Sequence, residues 1–367
     1  MLKDILFMNP NYVFRQKGTG KVSEGGLARN VAWESMLTSQ PNTNEFRIGE
    51  KGNGLFAFFW TILHAKNKTL FFLYPSVGVS LFKDDIKKRI IRALFILALR
   101  YSARHNRLVF DVSDLKYEQA RDLTLSDFNI HTIENVEKKI MTLDASYIFA
   151  SGEMCKWACK KYNIPHDKTA VCANGSHVIS HQGNAVTNDC VIFHDDVIYY
   201  VYAGTLNKGR NIEKMIEEFP DDPAYCMVLM GMNGEWILEK YGQRKNIVYV
   251  GALEQSKAHY IVSLCDVGLI PYDDEKTYYN IAYPTKLPFY IMAGIPVLST
   301  PVREVQNILN QYEIGWAATL ENWGERITHI SSNDITTIKQ KILTIQPNFT
   351  WENMLKDGIR MLNSFET

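Results

Sequence analysis

Two cations flank a glycine-containing loop in the second half of the chain. An apolar segment ends at Ala203, and the loop that follows contains Gly204, Thr205, Lys208 and Arg210. Glycine lets a ligand approach the backbone, while lysine neutralises phosphate as a point charge and arginine does so as a planar fork. The glycine and the two cations predict that these four loop residues bind a diphosphate. The alternative is a solvated turn with ordinary basic residues.

A third cation lies at the predicted start of a helix that follows an acidic loop. Tyr283 and Thr285 come just before Lys286, and Gly294 ends the helical pattern. Thr285 can cap the helix, and the first backbone N–H groups, those of Lys286 and Leu287, are expected to stay unpaired. A lysine at this end opposes the helix dipole, so its position favours an anionic ligand. The alternative is a surface lysine that points away.

Two aspartates stand at the end of a predicted strand in the first half of the chain. Asp111 lies within the apolar run 108–112 and Asp114 follows it. Open α/β sheets gather functional groups at the carboxyl ends of their strands, and a carboxylate there can take the proton of an attacking hydroxyl. Asp114 and Asp111 are therefore the candidate catalytic bases, with Glu24 as a third. Helix capping by Asp114 is the alternative.

The glycine-rich segment 18–26 precedes the first predicted helix. Its register fails both the Walker phosphate loop and the dinucleotide fingerprint. Gly25 and Gly26 at the helix start would still let an anion or a hydroxyl group approach the backbone. A flexible loop without a ligand is the alternative.

All these residues lie on segments in which short apolar runs alternate with helical patterns, which is typical of parallel α/β sheets. The runs cover residues 4–8, 69–74, 108–112, 147–150 and 169–172 in the first half, and 198–203, 225–230, 247–250, 267–270, 296–299 and 315–318 in the second. Residues 174–196 lose this periodicity. The pattern predicts two Rossmann-like, doubly wound domains, residues 1–180 and 181–348, and a C-terminal helical segment, 349–367.

Composition narrows the class of protein. The 367 residues carry 40 basic and 40 acidic side chains, so no net charge draws the chain to nucleic acid. The six cysteines have no paired spacing and no secretion signal before them, which favours a reducing cytoplasm over a disulfide scaffold. Cys155 and Cys159 lack the further partners of a metal site, and no apolar run reaches the ~20 residues of a membrane span. We expect a soluble, cytoplasmic protein without a bound metal.

One predicted helix combines apolar and basic side chains. The cations around its apolar core are Lys83, Lys87, Lys88, Arg89, Arg92, Arg100, Arg104 and Arg107. A basic amphipathic helix can lie on anionic lipid, which predicts a peripheral contact with a membrane. A helix that covers a sheet and has a solvated basic rim is the alternative.

Segment 265–298 carries the strongest resemblance to a known family. Its apolar strand ends at Pro271, a helix starts near Thr285, and a Gly-x-Pro-Val turn at 294–297 closes the unit. This order resembles the donor-sugar half of GT-B glycosyltransferases, and is similar to bacterial galactofuranosyltransferase-like and family-4-like surface-polysaccharide transferases. The resemblance implies a GT-B fold with a cleft between two Rossmann-like domains and a last helix that crosses back to the N-terminal domain.

The resemblance also implies roles for particular residues. In GT-B enzymes the loop of Lys208 and Arg210 keeps the diphosphate-binding cation. The loop after a strand like the one that ends at Gly251 reads the nucleobase edge, which implicates Gly251, Ala252 and Leu253. The sugar donor is expected to be UDP-linked.

The sequence departs from the family at two places. Retaining enzymes carry two glutamates across the donor loop, and the corresponding positions here are Ile281 and Phe289. A histidine that often precedes the strand-end aspartate is replaced by Phe110. The anomeric outcome and the identity of the base are therefore left open.

The activity implied is that of a metal-independent hexosyltransferase. It would move a sugar from a nucleotide-diphosphate donor to a hydroxyl of a glycan or a lipid-diphosphate-linked acceptor in bacterial-type surface polysaccharide synthesis. A lipid-linked acceptor would place the protein at the inner face of the plasma membrane. Two alternatives are a non-catalytic partner subunit and a nucleotide-sugar epimerase of the same fold. A homo-oligomer is compatible with all three.

Overall fold

The computed structural model describes residues 4–11, 25–76, 86–124, 129–178, 191–207 and 210–364. The chain forms two compact units. The first consists of Met1–Asn174 and Met354–Thr367, and the second of Gly175–Asn353. Each unit contains a six-stranded parallel sheet accompanied by helices. The predicted α/β class, with two doubly wound parallel sheets, is confirmed.

The first unit is built on a sheet with the strand order β2-β1-β3-β4-β5-β6. The strands are β1 (Ile5–Asn9), β2 (Thr43–Arg47), β3 (Thr69–Tyr74), β4 (Arg107–Val112), β5 (Ser146–Phe149) and β6 (Thr169–Val171). All of β3 is buried, as expected for a strand covered on both faces. Phe72 on β3 pairs with Phe110 on β4, and their rings stack with centroids 5.0 Å apart. The apolar run that predicts a strand thus lies in the core.

Helices follow the strands of the first unit. Those described before the second unit are α1 (Gly25–Thr38), α2 (Leu55–His64), α3 (Ile86–Ser102), α4 (Lys116–Asp122), α5 (Ile130–Met141) and α6 (Gly152–Tyr162), with a 3₁₀ turn at His166–Lys168. Local sequence sets the ends of α6. Ser151 accepts a hydrogen bond from the N–H of Met154 at 2.9 Å, and Asn163 ends the helix with φ +57°.

The second unit contains a sheet with the order β12-β11-β10-β7-β8-β9. Its strands are β7 (Ile198–Ala203), β8 (Tyr225–Met230), β9 (Ile247–Gly251), β10 (Val267–Ile270), β11 (Val297–Ser299) and β12 (Gly315–Ala317). Its helices are α7 (Ile212–Glu217), α8 (Glu235–Tyr241), α9 (Gln255–Leu264), α10 (Thr277–Ile281), α11 (Lys286–Met292), α12 (Arg303–Tyr312), α13 (Trp323–His329) and α14 (Ser332–Ile345), and 3₁₀ turns lie at Leu320–Asn322 and Gln346–Phe349. The short helix α15 (Trp351–Met354) ends where the chain returns to the first unit.

The last helix, α16 (Lys356–Asn363), packs within the first unit. A Cβ atom on Gly358 would lie 2.6 Å from the Trp33 ring and 3.0 Å from Cys172 Sγ. The N–H of Gly358 also donates to Cys172 Sγ at 3.0 Å. Because α16 approaches its seat this closely, only glycine fits at position 358. Among the helices described, none is long and apolar enough to cross a bilayer.

Candidate functional site

Three glycines pack closely where strands β7, β8 and β9 end. Gly204 and Gly231 directly follow β7 and β8, and Gly251 is the last residue of β9. The N–H of Gly231 donates to the carbonyl of Gly251 at 2.8 Å, and a Cβ atom on Gly231 would overlap the carbonyl oxygen of Gly204. Gly231 also has φ +146°, which disfavours other residues. We call these three residues the glycine edge, along which bare backbone replaces side chains.

The side chain of Lys286 extends onto the glycine edge. A Cβ atom on Gly204 would lie 2.7 Å from Lys286 Cε and 2.8 Å from Nζ. Nζ also lies 4.9 Å from the centroid of the Tyr202 ring and 5.4 Å from that of Tyr272. The faces of aromatic rings attract an ammonium group. The alternative of a surface lysine that points away is therefore wrong.

These residues meet where the strand order of the second sheet reverses. Strand β7 lies between β8 and β10, so the chain first builds the sheet toward β9 and then toward β12. Gly204 follows β7, and Tyr272 follows β10. Open α/β sheets bind ligands outside the carboxyl ends of their strands at such a switch point. The position of Lys286 is thus the place where this architecture favours a ligand.

Tyr290 and Gly268 hold helix α11 at the switch point. The buried Tyr290 hydroxyl accepts a hydrogen bond from the N–H of Ala203 at 3.0 Å and donates one to the carbonyl of Leu269 at 3.2 Å. A Cβ atom on Gly268 would overlap the Tyr290 ring. Because Gly268 leaves room for this ring, α11 is tied to both β7 and β10, and Lys286 is carried to the glycine edge.

Two details of the predicted start of α11 are wrong. Thr285 has a helical backbone, φ −62° and ψ −19°, and its side chain makes no capping hydrogen bond. Capping requires an extended backbone at that position. The N–H of Leu287 is not unpaired, since it donates to the carbonyl of Pro284 at 3.1 Å in a tight turn. The positive charge at this place therefore comes chiefly from the Lys286 side chain.

Tyr283, predicted to bind the donor, lies in the interior of the second unit. It is buried, and loss of solvent raises the pKa of its phenol well above the usual value, with a further contribution from the charge of Glu304. Glu304 belongs to α12. Tyr283 is therefore associated with α12 and is left out of the candidate site.

Arg210 acts on the same phenol as Lys286. Burial raises the pKa of Tyr202, and the charges of Lys286 and Arg210 both oppose that rise. Burial and the neighbouring Tyr272 raise the pKa of Tyr279 to about 12, and Arg210 opposes this shift as well. The charges of Lys286 and Arg210 thus both act on the phenol of Tyr202. Lys208, the other predicted cation, lies outside the described residues.

Three tyrosines that the sequence reasoning missed complete this group. The rings of Tyr272 and Tyr279 stack with centroids 4.5 Å apart and planes 16° apart. The Tyr202 hydroxyl donates to the carbonyl of Thr205 at 3.2 Å, which holds the start of the predicted phosphate loop. Position relative to the strands could have indicated them, because Tyr202 lies near the end of β7 and Tyr272 just after β10. Gly231 was missed although, like Gly204, it directly follows a strand.

The loop predicted to read a nucleobase begins at the glycine edge. Gly251 has φ +74°, and no atom lies within 4 Å of the position its Cβ would take. Ala252 is exposed and Leu253 half-buried. The Tyr249 hydroxyl donates to the carbonyl of Gly231 at 3.2 Å. This loop therefore borders open space beside the edge.

In the first unit, Asp111 cannot serve as the predicted base. Its carboxylate is buried and accepts hydrogen bonds from Arg29 Nη2 at 2.5 Å and Nε at 2.9 Å. Arg29 Nη1 donates in turn to the carbonyl of Cys172 at 2.7 Å. A general base must reach the proton that it takes, and Asp111 is enclosed and neutralised. Asp111 instead forms a buried ion pair with Arg29 that supports the fold.

Asp114 has a more open environment. It is half-buried in the loop after β4, and its charge acts on both Arg29 and Lys116. Burial lowers the pKa of Lys116, and Asp114 opposes that shift. The cap position of α4 is occupied by Leu115 and not by Asp114. Asp114 therefore stays the prediction for the base.

The remaining predicted residues of the first unit lie at the start of α1. Gly25 is the first residue of that helix and Gly26 the second. Glu24, the third candidate base, falls outside the described residues. The roles of all three stay predictions.

Comparison with known proteins identifies the architecture. Residues 200–359 match the model of the glucosyltransferase 3-like C-terminal domain. HepE from Anabaena, solved in complex with UDP and glucose, superimposes with a TM-score of 0.61 at 13% identity, covering 99% of this chain and 100% of HepE. WaaG, a glycosyltransferase involved in lipopolysaccharide biosynthesis, superimposes with a TM-score of 0.62 at 11% identity, covering 98% of this chain and 100% of WaaG. Sucrose-phosphate synthase from Thermosynechococcus elongatus superimposes with a TM-score of 0.60 at 14% identity, covering 89% of this chain and 81% of the synthase.

The chain has the GT-B fold of glycosyltransferases. The resemblance stated from segment 265–298 is therefore confirmed at the level of the fold. Among curated protein sequences, none matches this chain.

The two positions at which the resemblance to retaining enzymes implies glutamates carry apolar side chains here. Ile281 is buried, and Phe289 is half-buried with its ring 5.4 Å from that of His259. Neither side chain can accept a hydrogen bond from a sugar hydroxyl. Within the described parts of this GT-B chain, no three His, Cys, Asp or Glu side chains gather as a metal site would require.

Proposed function

We propose that the chain transfers a hexosyl group from a UDP-sugar to a hydroxyl of a glycan or lipid-diphosphate-linked acceptor in surface polysaccharide synthesis. One observation carries the proposal. Lys286 Nζ lies against the bare backbone of Gly204 at the switch point of the second sheet. This arrangement offers a fixed positive charge beside backbone that a ligand can approach closely.

The placement of charge suits departure of a nucleoside diphosphate. Negative charge grows on the leaving phosphates as the glycosidic bond breaks, and a preplaced cation stabilises that charge without having to move. Lys286 is half-buried between aromatic rings, where electrostatic attraction is stronger than in bulk water. Arg210 adds a second positive charge near Tyr202. With these cations in place, the transfer we propose needs no metal ion.

Uridine is the nucleoside that the comparisons favour. HepE has been solved with UDP and glucose and with UDP-glucose, and its fold matches nearly all of this chain. The open space at Gly251 and the exposed Ala252 fit a loop that contacts a base. We therefore propose a UDP-linked donor held by the C-terminal unit.

Asp114 is our proposed base. It follows the central strand β4, where functional groups of an α/β sheet collect, and it is not enclosed as Asp111 is. Its carboxylate would take the acceptor proton as the hydroxyl oxygen attacks the anomeric carbon. The involvement of WaaG in lipopolysaccharide biosynthesis supports a surface polysaccharide as the acceptor.

One observation favours a second candidate function, a non-catalytic subunit that binds a nucleotide sugar. The strand-end carboxylate Asp111 forms an ion pair with Arg29 and is therefore not available for proton transfer. Such a subunit would bind UDP-sugar in the same place as the enzyme. Turnover with acceptor is what separates the two.

Calorimetric titration of UDP into the wild type and the Lys286→Met variant tests the proposed site. Removing a charged hydrogen-bonding partner is expected to cost about 1.5–3 kcal/mol, or roughly 10–150-fold in affinity. Lys245→Met, at an exposed lysine in the loop before β9, is the matched control and should bind like the wild type. Equal affinity of Lys286→Met and the wild type would contradict the proposal.

Transfer of labelled sugar from UDP-glucose and other UDP-hexoses to glycan and lipid-linked acceptors then tests catalysis. We expect Asp114→Asn to abolish transfer and to keep UDP affinity. UDP-sugar binding without turnover on any acceptor would instead support the non-catalytic subunit.

A further inference from the structure

The side chain of Tyr202, near the end of strand β7, contacts two separate parts of the candidate site. It is buried in the second unit. Its hydroxyl donates to the carbonyl of Thr205 at 3.2 Å, in the predicted phosphate loop. Its ring lies beside the ammonium group of Lys286, with Nζ 4.9 Å from the ring centroid. One phenol side chain therefore contacts both the loop and the cation.

Gly204 leaves the space in which these contacts meet. A Cβ atom at this position would lie 2.7 Å from Lys286 Cε, 2.8 Å from Nζ and 3.5 Å from the hydroxyl oxygen of Tyr202. Gly204 also has φ +152°, a conformation that residues with a side chain rarely adopt. The loop backbone, the lysine and the phenol are thus packed around one glycine.

Tyr272 supplies a second ring beside the same ammonium group. Its ring centroid lies 5.4 Å and its hydroxyl oxygen 3.5 Å from Lys286 Nζ. Tyr202 belongs to β7 and Tyr272 follows β10, so the two strands that meet at the switch point each contribute one ring. An ammonium group is attracted by the faces of both rings. The two rings therefore hold Lys286 at the glycine edge before an anion binds.

We propose that Tyr202 is a positioning residue, which couples the phosphate loop to Lys286 and so preorganises the nucleotide site. Its ring holds the ammonium group and its hydroxyl holds the loop, so that both meet a diphosphate without rearrangement. A site that needs little ordering on binding keeps more of its interaction energy as affinity. This inference rests on the proposed function, because it assigns Tyr202 a role in binding the UDP part of the donor.

Tyr200 provides a matched control on the same strand. It is buried, and a separation of two residues places it on the same face of β7 as Tyr202. Its hydroxyl donates to the carbonyl of Ile327 at 3.4 Å, and its ring packs edge-on against Phe219 with centroids 5.6 Å apart. Substitutions of Tyr200 therefore disturb the core of the second unit in a similar way, at a distance from Lys286 and the loop.

Calorimetric titration of UDP into Tyr202 variants of the full chain tests the inference. Tyr202→Phe keeps the ring and removes the hydrogen bond to the loop, so affinity should fall roughly 2–10-fold. Tyr202→Leu also removes the ring beside Lys286, which should add a further loss of about 2–30-fold. Tyr200→Phe and Tyr200→Leu should bind UDP like the wild type.

The same substitutions in the Lys286→Met background separate the two contacts of Tyr202. Without the ammonium group the ring has no cation to position, so Tyr202→Leu and Tyr202→Phe should then weaken UDP binding by the same factor. The contribution of the hydroxyl should be equal in both backgrounds, because it acts through Thr205. A residue that only supports the fold would not show this dependence on Lys286.

Chemical labelling of Lys286 gives a readout that needs no nucleotide. An amine-reactive succinimidyl ester is applied to each variant, and mass spectrometry follows the rate of modification at Lys286. Tyr202→Leu should raise this rate at least about twofold, because the ammonium group loses one of its two rings. Tyr202→Phe and Tyr200→Leu should keep the wild-type rate.

Two outcomes would overturn the inference in a chain that binds UDP. One is equal UDP affinity of the Tyr202 variants and the Tyr200 controls. The other is a loss in Tyr202→Leu that is the same with and without Lys286. Urea denaturation checks the folding of every variant, and if Tyr202→Leu does not fold, unchanged affinity in Tyr202→Phe overturns the inference.

Failure of the proposed nucleotide site has a different signature. A wild type that binds no UDP would contradict the proposed function. Labelling of Lys286 then decides the inference separately, since a faster rate in Tyr202→Leu supports the positioning of Lys286 by Tyr202 and an unchanged rate overturns it.

Discussion

The carboxyl edges of the two sheets both carry charged side chains, but the charges are balanced differently. At the first edge, Asp111 and Arg29 are buried together and joined by two hydrogen bonds of 2.5 and 2.9 Å. At the second, Lys286 lies against Gly204 and two tyrosine rings, and no ion pair between it and a carboxylate is found among the described residues. A charge that is paired inside the fold supports the fold, whereas a cation beside bare backbone is available to an anion.

The largest effect is expected from breaking the pair at the first edge. Arg29→Met leaves the Asp111 carboxylate buried without its partner and should lower the free energy of unfolding by about 3–5 kcal/mol. Urea denaturation measures this loss. Arg360→Met, which removes an exposed pair with Asp357, is the control and should cost less than about 1 kcal/mol. A loss as small as that in Arg29→Met would show that the first edge is not held by its ion pair.

The next effect separates two glycines of the second edge. Gly231→Ala places a Cβ atom on the carbonyl oxygen of Gly204 at φ +146°, so we expect a loss of roughly 2–3 kcal/mol in stability together with loss of UDP binding. Gly251→Ala adds its Cβ to open space at φ +74° and should cost about 1 kcal/mol. Urea denaturation and calorimetry measure both quantities. Equal costs would mean that close packing does not define the glycine edge.

A carboxyl group near the first edge has its pKa raised by burial, and no cation is among its described hydrogen-bond partners. Glu137 accepts hydrogen bonds from the hydroxyls of Tyr74, the last residue of β3, and Tyr162, at 2.9 and 2.6 Å. Burial, followed by the charge of Glu118, raises the pKa of Glu137 from 4.5 to about 7. Between these two values the folded chain holds a proton that the unfolded chain has lost, so stability should fall as pH rises.

We expect the wild type to lose about 1–3 kcal/mol of stability from this group between pH 4.5 and 7. Glu137→Gln should remove that slope in urea denaturation followed across pH. Glu313→Gln is the control, because Glu313 is exposed beside Lys341, and it should keep the wild-type slope. If Glu137→Gln kept the wild-type dependence of stability on pH, that dependence would not come from Glu137.

The smallest effect concerns the exposed cation of the second edge. Arg210→Met should weaken UDP binding by less than about 1 kcal/mol, because solvent screens an exposed charge. The loss should shrink further at high salt, whereas the loss in Lys286→Met should persist. Calorimetry at two salt concentrations measures the difference. A larger effect for Arg210 than for Lys286 would reverse the order of importance proposed for the two cations.

The sequence was sufficient to predict the strands and helices and part of the candidate site at the second edge. Apolar runs located the strands around Lys286 and Gly204, because parallel strands are buried on both faces and appear in the sequence as continuous apolar segments. The Gly-x-Pro turn marked the end of the helix that begins at Lys286. The fold class and the GT-B resemblance followed from that order. What periodicity could not give was side-chain contact between distant segments.

The contacts that decide the site depend on such distant pairs. Arg29 meets Asp111 across 82 residues, and nothing local marks either as a partner. Tyr290 reaches Ala203 across 87 residues and thereby fixes α11. Thr285 was wrongly predicted as a cap because residue type favours capping while its backbone is already helical.

The seat of α16 on Trp33 has a consequence for synthesis of the chain on the ribosome. Residues 1–174 leave the ribosome first, but the helix whose Gly358 covers Trp33 and Cys172 is translated after the entire second unit. During that interval the nascent first unit presents an unfilled apolar seat. The first unit can therefore complete its packing only after the second unit has been synthesised, and until then a chaperone that binds apolar surface has a defined place to act.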